Sequence, residues 1–287
     1  MEKKSYPTIK DAIFLCLFYF VIQIGMDLIF GIFSSLYGVG PGSKIYERGV
    51  SLIVILSFAL VIYRGYKKSG KKINEIIMLK NVSLYIWLSI IIFMPGFILI
   101  SERIYYIIKN LAPMPQFLQL LFEQTVFGIV NDVNEHLFIS LLLKAIIPSF
   151  VIEILFRGII SSGLRKNYSQ KKTIIISAVL YWITVYGFFF YLTFVAGFLY
   201  GIISAWICLK TKSLIPSILM RLFQNTVDIF LVKFSDMTPI ARLDIAYTEQ
   251  PFIIQWFDVI GLVLAAAGIF LMLIGTKKYN TVSDASI

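Results

Sequence analysis

The feature that most constrains this chain is a series of apolar stretches, each about 18 to 24 residues long, that recurs from Ile13 to the C-terminal region. About 20 helical residues, rising about 1.5 Å each, span a hydrocarbon core of roughly 30 Å. Open strands would leave backbone groups unpaired in lipid, so these stretches must be helices. They predict membrane helices over residues 12–37, 49–65, 82–101, 137–160, 173–190, 191–209, 213–233 and 253–274. The expected fold is all-α, a polytopic transmembrane helical bundle of about eight helices, with residues 1–287 forming a single membrane domain. Composition agrees, because 59% of the residues are hydrophobic against roughly half in soluble domains.

Several stretches need separate treatment. Between residues 173 and 209 only Gly187 and aromatic side chains stand where a turn is needed, which leaves a re-entrant turn open as an alternative to two spans. Residues 104–134 contain Pro113, Pro115 and an apolar run from Phe117 to Val130, and they predict an extracytoplasmic interfacial helix. The first stretch contains Asp27 and is not followed by an A-x-A-like site, so it is expected to be an anchored span rather than a removable signal. There is no repeat of fixed period, and the halves lack the matched broken helices of inverted-repeat transporters.

The formal net charge of +10 raises the question of nucleic acid. Placement of the charges answers it. With the predicted spans, 17 of the 26 Lys and Arg residues fall on one side. Six fall on the other (Lys44, Arg48, Arg103, Lys109, Lys233 and Arg242), and three lie within spans. The positive-inside bias places both termini in the cytoplasm, in the plasma membrane of a cell whose Lys and Ile richness suggests a bacterium. Topology and anionic lipid account for the basic excess, so the expected partner is the lipid bilayer and not nucleic acid. Cys16 and Cys208 lie in apolar stretches without neighbouring ligands at metal spacing, so no disulfide, metal or cofactor is expected.

Seven ionisable residues fall within spans: Asp27, Lys144, Glu153, Arg157, Arg221, Asp228 and Asp258. Each is costly in hydrocarbon unless paired or hydrated, which makes each a candidate for function. Lys144 and Asp258 lie near span ends and can snorkel. Glu153 and Arg157 are four residues apart and share a helix face, the spacing of a hydrogen-bonded ion pair. Arg221, Asn225 and Asp228 follow i, i+4, i+7 spacing and form a second stripe. The stripes reach similar depth, so a buried polar cluster of Glu153, Arg157, Arg221 and Asp228 is expected, with Glu153 facing Arg221.

The residues around these charges resemble a known family. Val151–Gly158, V-I-E-I-L-F-R-G, resembles the E-E-x-x-x-R motif of the CAAX-protease and bacteriocin-processing (CPBP, Abi) intramembrane endopeptidases. Ser213–Asn225, S-L-I-P-S-I-L-M-R-L-F-Q-N, resembles the setting of the family's H-x-x-x-N motif, and the intervening helix ends in K-T-K-S-L where the family has K-T-G-S-L. The resemblance implies a CPBP-like core over residues 137–233. In the family a first-motif Glu activates water and two His residues orient it and stabilise the oxyanion. Carried across, those positions are Ile152, Val185 and Arg221, while Glu153, Arg157 and Asn225 remain as motif remnants at catalytic positions. His136, the sole histidine, is about 25 Å along its helix from Glu153.

Peptide hydrolysis needs a base for water and donors aimed at the developing oxyanion. With three of those positions replaced, the resemblance implies a catalytically degenerate member with a binding or regulatory role, such as bacteriocin immunity or control of a membrane protein or peptide partner. An active endopeptidase using Glu153 is the alternative, and a transporter using the buried charges is a third reading.

Overall fold

The computed structural model describes residues 5–40, 43–113, 115, 136–187, 191–233 and 253–280. Nine helices occur among them, with no strand. Helix α1 (Ile9–Leu36) starts at Thr8 with a reciprocal cap. Thr8 N–H donates to Asp11 Oδ2 at 2.9 Å, and Asp11 N–H donates to Thr8 Oγ1 at 3.4 Å. Helix α2 (Lys44–Ser69) stops at Gly70, whose φ of 62° is a left-handed conformation that glycine adopts without strain. Then come the short α3 (Ile73–Ile76), α4 (Leu84–Leu111), α5 (Leu137–Asn167), α6 (Gln170–Tyr186), α7 (Phe194–Thr211), α8 (Ile215–Lys233) and α9 (Trp256–Asn280).

The eight expected spans correspond to the eight long helices. Six of these, α1, α2, α4, α5, α7 and α9, are long and apolar enough to cross a membrane. Helix α6 has 17 residues, and the 19-residue α8 carries Arg221, Asp228 and Lys233. The protein is thus a multi-pass membrane protein. Two boundaries differ from expectation. Ile104–Leu111 extend α4 instead of joining the interfacial segment, and the apolar run Phe117–Val130 lies outside the described residues. Helix α5 runs on to Asn167 instead of ending at Ile160. Helix α6 closes at Gly187, φ 83°, and α7 packs back along it, so Gln170–Tyr186 and Phe194–Thr211 are two antiparallel helices.

Helix α5 is central, touching α2, α3, α6, α7 and α8. It contains two widened π-helical segments, Leu141–Ile146 and Ile154–Ser161. Their hydrogen bonds reach back five residues, as in Ile147 N–H to Leu142 O and Ser162 N–H to Arg157 O. Pro148 has no N–H to give and crowds the preceding turn, which the first widened segment accommodates. Close helix approach depends on small residues, as expected where lipid supplies no hydrophobic drive. A Cβ at Gly201 on α7 would sit 2.9 Å from Ala178 Cα on α6. Large apolar side chains such as Val21, Leu28, Phe33 and Phe270 face outward, as a lipid-solvated surface requires.

Contacts among connecting segments define one end of the bundle. Ser5 N–H donates to Asn167 Oδ1 at 2.9 Å, Leu214 N–H to Met78 O at 2.8 Å, and Ser83 N–H to the Tyr279 hydroxyl at 3.0 Å. The first and last described segments therefore share this end with the α2–α4, α5–α6 and α7–α8 connections.

Candidate functional site

Glu153 ends an α-helical stretch of α5 and Arg157 falls in the widened segment that follows; both side chains are fully buried. Arg157 Nε donates to Glu153 Oε2 at 3.1 Å. Its other two nitrogens leave the helix: one donates to Ser177 Oγ on α6 at 2.9 Å, and the other donates to Ser204 Oγ on α7. Ser161 Oγ donates to Ser177 Oγ at 2.8 Å, and the guanidinium carbon lies 5.0 Å from the Tyr181 ring centroid. One arginine thus ties α5, α6 and α7 together through charge-assisted bonds in a buried setting. Glu153 Oε1 has no hydrogen-bond partner among the described residues.

Arg221, on α8, reaches the same neighbourhood with a different partner. It donates to the Tyr181 hydroxyl at 2.5 Å and lies about 6 Å from the rings of Tyr181, Tyr186 and Tyr200. Tyr181 and Tyr200 stack at 5.4 Å, and the Tyr200 hydroxyl donates to Ser217 O on α8 at 3.3 Å. Tyr181 therefore stands between the two arginines. The expected face-to-face ion pair of Glu153 with Arg221 is replaced by this arginine–tyrosine contact, because the aromatic shelf of α6 and α7 meets the Arg221 guanidinium.

Asn225, one turn along α8, donates to Ser149 Oγ on α5 at 3.4 Å. Asp228 is exposed, so the buried cluster does not include it; seven residues from Arg221 is about 10 Å along the helix, past the tyrosine shelf. Ile152 is buried in the main apolar core, and Val185 packs against the same core. Asp258 pairs with Arg103 at 3.5 Å and accepts the Gln255 N–H at 2.7 Å, the reciprocal contact of a helix cap. Asp27 is exposed on α1 and accepts from Gln23 Nε2 at 2.9 Å. Lys144 lies in the first widened segment, His136 precedes α5, and both cysteines are buried thiols. No group of His, Cys, Asp and Glu among the described residues could hold a metal ion.

A family model described as type II CAAX prenyl endopeptidase Rce1-like matches residues 134–227. Over those residues the chain is similar to that family. The matched segment runs from just before α5 into α8, and it includes Glu153, Arg157, Ile152, Val185, Arg221 and Asn225. The resemblance to the CPBP endopeptidases drawn from the motifs holds over this Rce1-like segment. Neither a curated protein nor a solved structure matches the chain.

Motif reasoning missed the serines and tyrosines that surround the charges in the Rce1-like segment. Their spacing does carry a signal. Ser177, Tyr181 and Val185 on α6 are four apart, as are Tyr200, Ser204 and Cys208 on α7, so each apolar helix presents a polar-bearing stripe to α5.

Proposed function

We propose that this Rce1-like membrane protein is a non-catalytic member of its family, and that it binds and controls a membrane protein or peptide partner, bacteriocin immunity being one such role. The observation that supports this reading most directly is the engagement of Arg157. Its nitrogens are taken up by Glu153, Ser177 and Ser204 in a fully buried setting, which makes the charged pair a structural clamp. Around it, the position matching the water-activating Glu is the buried Ile152, and the position matching the third-motif His is Arg221, held by tyrosines. An arginine cannot take water's proton at ordinary pH, and isoleucine has no group to do so.

One observation favours the alternative, an active intramembrane endopeptidase. Glu153 Oε1 has no hydrogen-bond partner among the described residues and could accept a proton from a water that reached it. Photo-cross-linking in native membranes separates the two readings. The clamp reading predicts a membrane partner recovered at full length, in the same yield with Glu153→Gln. Recovery of a shortened partner, with the shortening abolished by Glu153→Gln, would establish the endopeptidase.

A further inference from the structure

At the end of the bundle that gathers Ser5, Asn167 and Tyr279, a cavity of about 610 Å³ opens between the connecting segments. That volume lies within the roughly 300–1,000 Å³ typical of small-ligand sites. Besides Arg157, six cationic side chains line it: Lys71 after α2, Lys80 before α4, Arg165 and Lys166 on α5, and Lys210 and Lys212 at the end of α7. Among the lining residues Glu75 is the one carboxylate. Below them the cavity reaches the buried Arg157 and Cys208.

A basic face is ordinary where a membrane protein meets anionic lipid, and each lysine there would normally be solvated separately. Here four chain segments direct cations into one concave space, where low-dielectric walls focus the field. Two of the lysines are held against their own preference. Lys71 is half-buried, its Nζ donates to Ser162 Oγ at 3.1 Å, and its pKa is lowered first by burial and next by Lys166, with Glu75 opposing the shift. Lys212 closes α7 with φ 51°, a left-handed conformation in which glycine is favoured and a lysine is strained.

We infer that this cavity is a binding site for a phosphate-bearing anion, held by Lys71, Lys80, Arg165, Lys166, Lys210 and Lys212. Phosphate fits the arrangement because its oxygens lie in several directions and carry up to two charges, so donors arriving from separate segments can each reach one. The phosphate belongs either to a lipid headgroup entering from the membrane or to a soluble phosphate compound. The site stands independently of whether Glu153 has any activity.

Isothermal titration calorimetry on the full-length protein in neutral detergent tests this with two probes, inorganic phosphate and short-chain phosphatidic acid, and with phosphatidylcholine as the control. Saturable binding of either phosphate probe, without binding of phosphatidylcholine, is expected, and the probe that binds more tightly identifies the source. The double variant Lys71→Gln/Lys166→Gln should weaken binding by about tenfold or more, the effect of losing one or two charge-assisted contacts. Lys171→Gln/Lys277→Gln, which removes the same charge at two exposed sites outside the cavity, should leave affinity within about twofold. Lys212→Gly keeps the proposal falsifiable without risking the fold. It relieves the left-handed strain and should raise the unliganded melting temperature by about 2 to 4 °C while it weakens phosphate binding. Equal weakening by the cavity and control variants, or binding of neither phosphate probe, would overturn the assignment.

Discussion

Replacing Arg157 with methionine removes the one cation among the described residues within bonding distance of Glu153 and leaves a carboxylate that is fully buried. Breaking a buried pair in this way costs about 3 to 5 kcal/mol, because one charge remains uncompensated. A melting-temperature change of about 2 to 4 °C per kcal/mol then gives a loss of roughly 6 to 20 °C. Two further donors, to Ser177 and Ser204, disappear with the same side chain. Their cost is small, because Ser177 keeps the Ser161 hydroxyl and a helical serine can bond its own helix backbone. The companion double variant Glu153→Leu/Arg157→Met removes both charges and should recover most of the loss, since apolar replacements of a whole buried pair are often neutral or stabilising. Heating the detergent-solubilised protein and following the folded fraction by size-exclusion chromatography measures both. If Arg157→Met melts within about 3 °C of the parent, or if the double variant is no more stable than Arg157→Met, then the pair does not clamp the bundle.

Three further outcomes follow from the same geometry. Tyr181→Phe orphans an Arg221 nitrogen and should cost about 1 to 3 kcal/mol, whereas Tyr66→Phe, which keeps an apolar ring against the core edge, should be near neutral in the same melting assay. Gly201→Val drives side-chain atoms into Ala178 and should lower the yield of folded protein more than Gly31→Val, where a Cβ meets nothing within 4 Å. Lys71 has a pKa below the ordinary lysine value of 10.5, so the unfolded chain holds its proton to higher pH than the folded one. The penalty for charging Lys71 in the folded state is thus fully present at low pH and fades as pH rises through its lowered pKa toward 10.5. Melting temperature against pH should rise across that window in the parent and lose this component in Lys71→Gln.

The bundle was legible because lipid admits few structures: length, apolarity and backbone pairing leave helices as the solution, and the long helices follow. Boundaries were less legible where polarity fails to mark them. Ile104–Leu111 and Ser161–Asn167 continue their helices beyond the apolar stretch, since a helix does not have to stop where the hydrocarbon does. The pairing of Glu153 with Arg157 follows from spacing along one helix. The partner of Arg221 does not, because it depends on how α6 and α7 rotate against α8, and that rotation is set by packing such as Gly201 on Ala178 and Tyr181 on Tyr200. A ring and hydroxyl at Tyr181 satisfy an arginine that charge counting alone would assign to Glu153 or Asp228. The widened turns of α5 were likewise hidden, although Pro148 is a visible cause for the first.

The proposed role is binding without cutting by the segment similar to the Rce1-like family, residues 134–227. Incubating the purified full-length protein in lipid nanodiscs with a prenylated C-terminal peptide, and resolving the products by mass spectrometry, tests it most directly. The non-catalytic reading predicts an intact peptide at every time point, because the motif resemblance puts Ile152, Val185 and Arg221 where the family has its water-activating Glu and two His. Steady release of a C-terminal fragment that vanishes with Glu153→Gln would contradict it and make Glu153 the base.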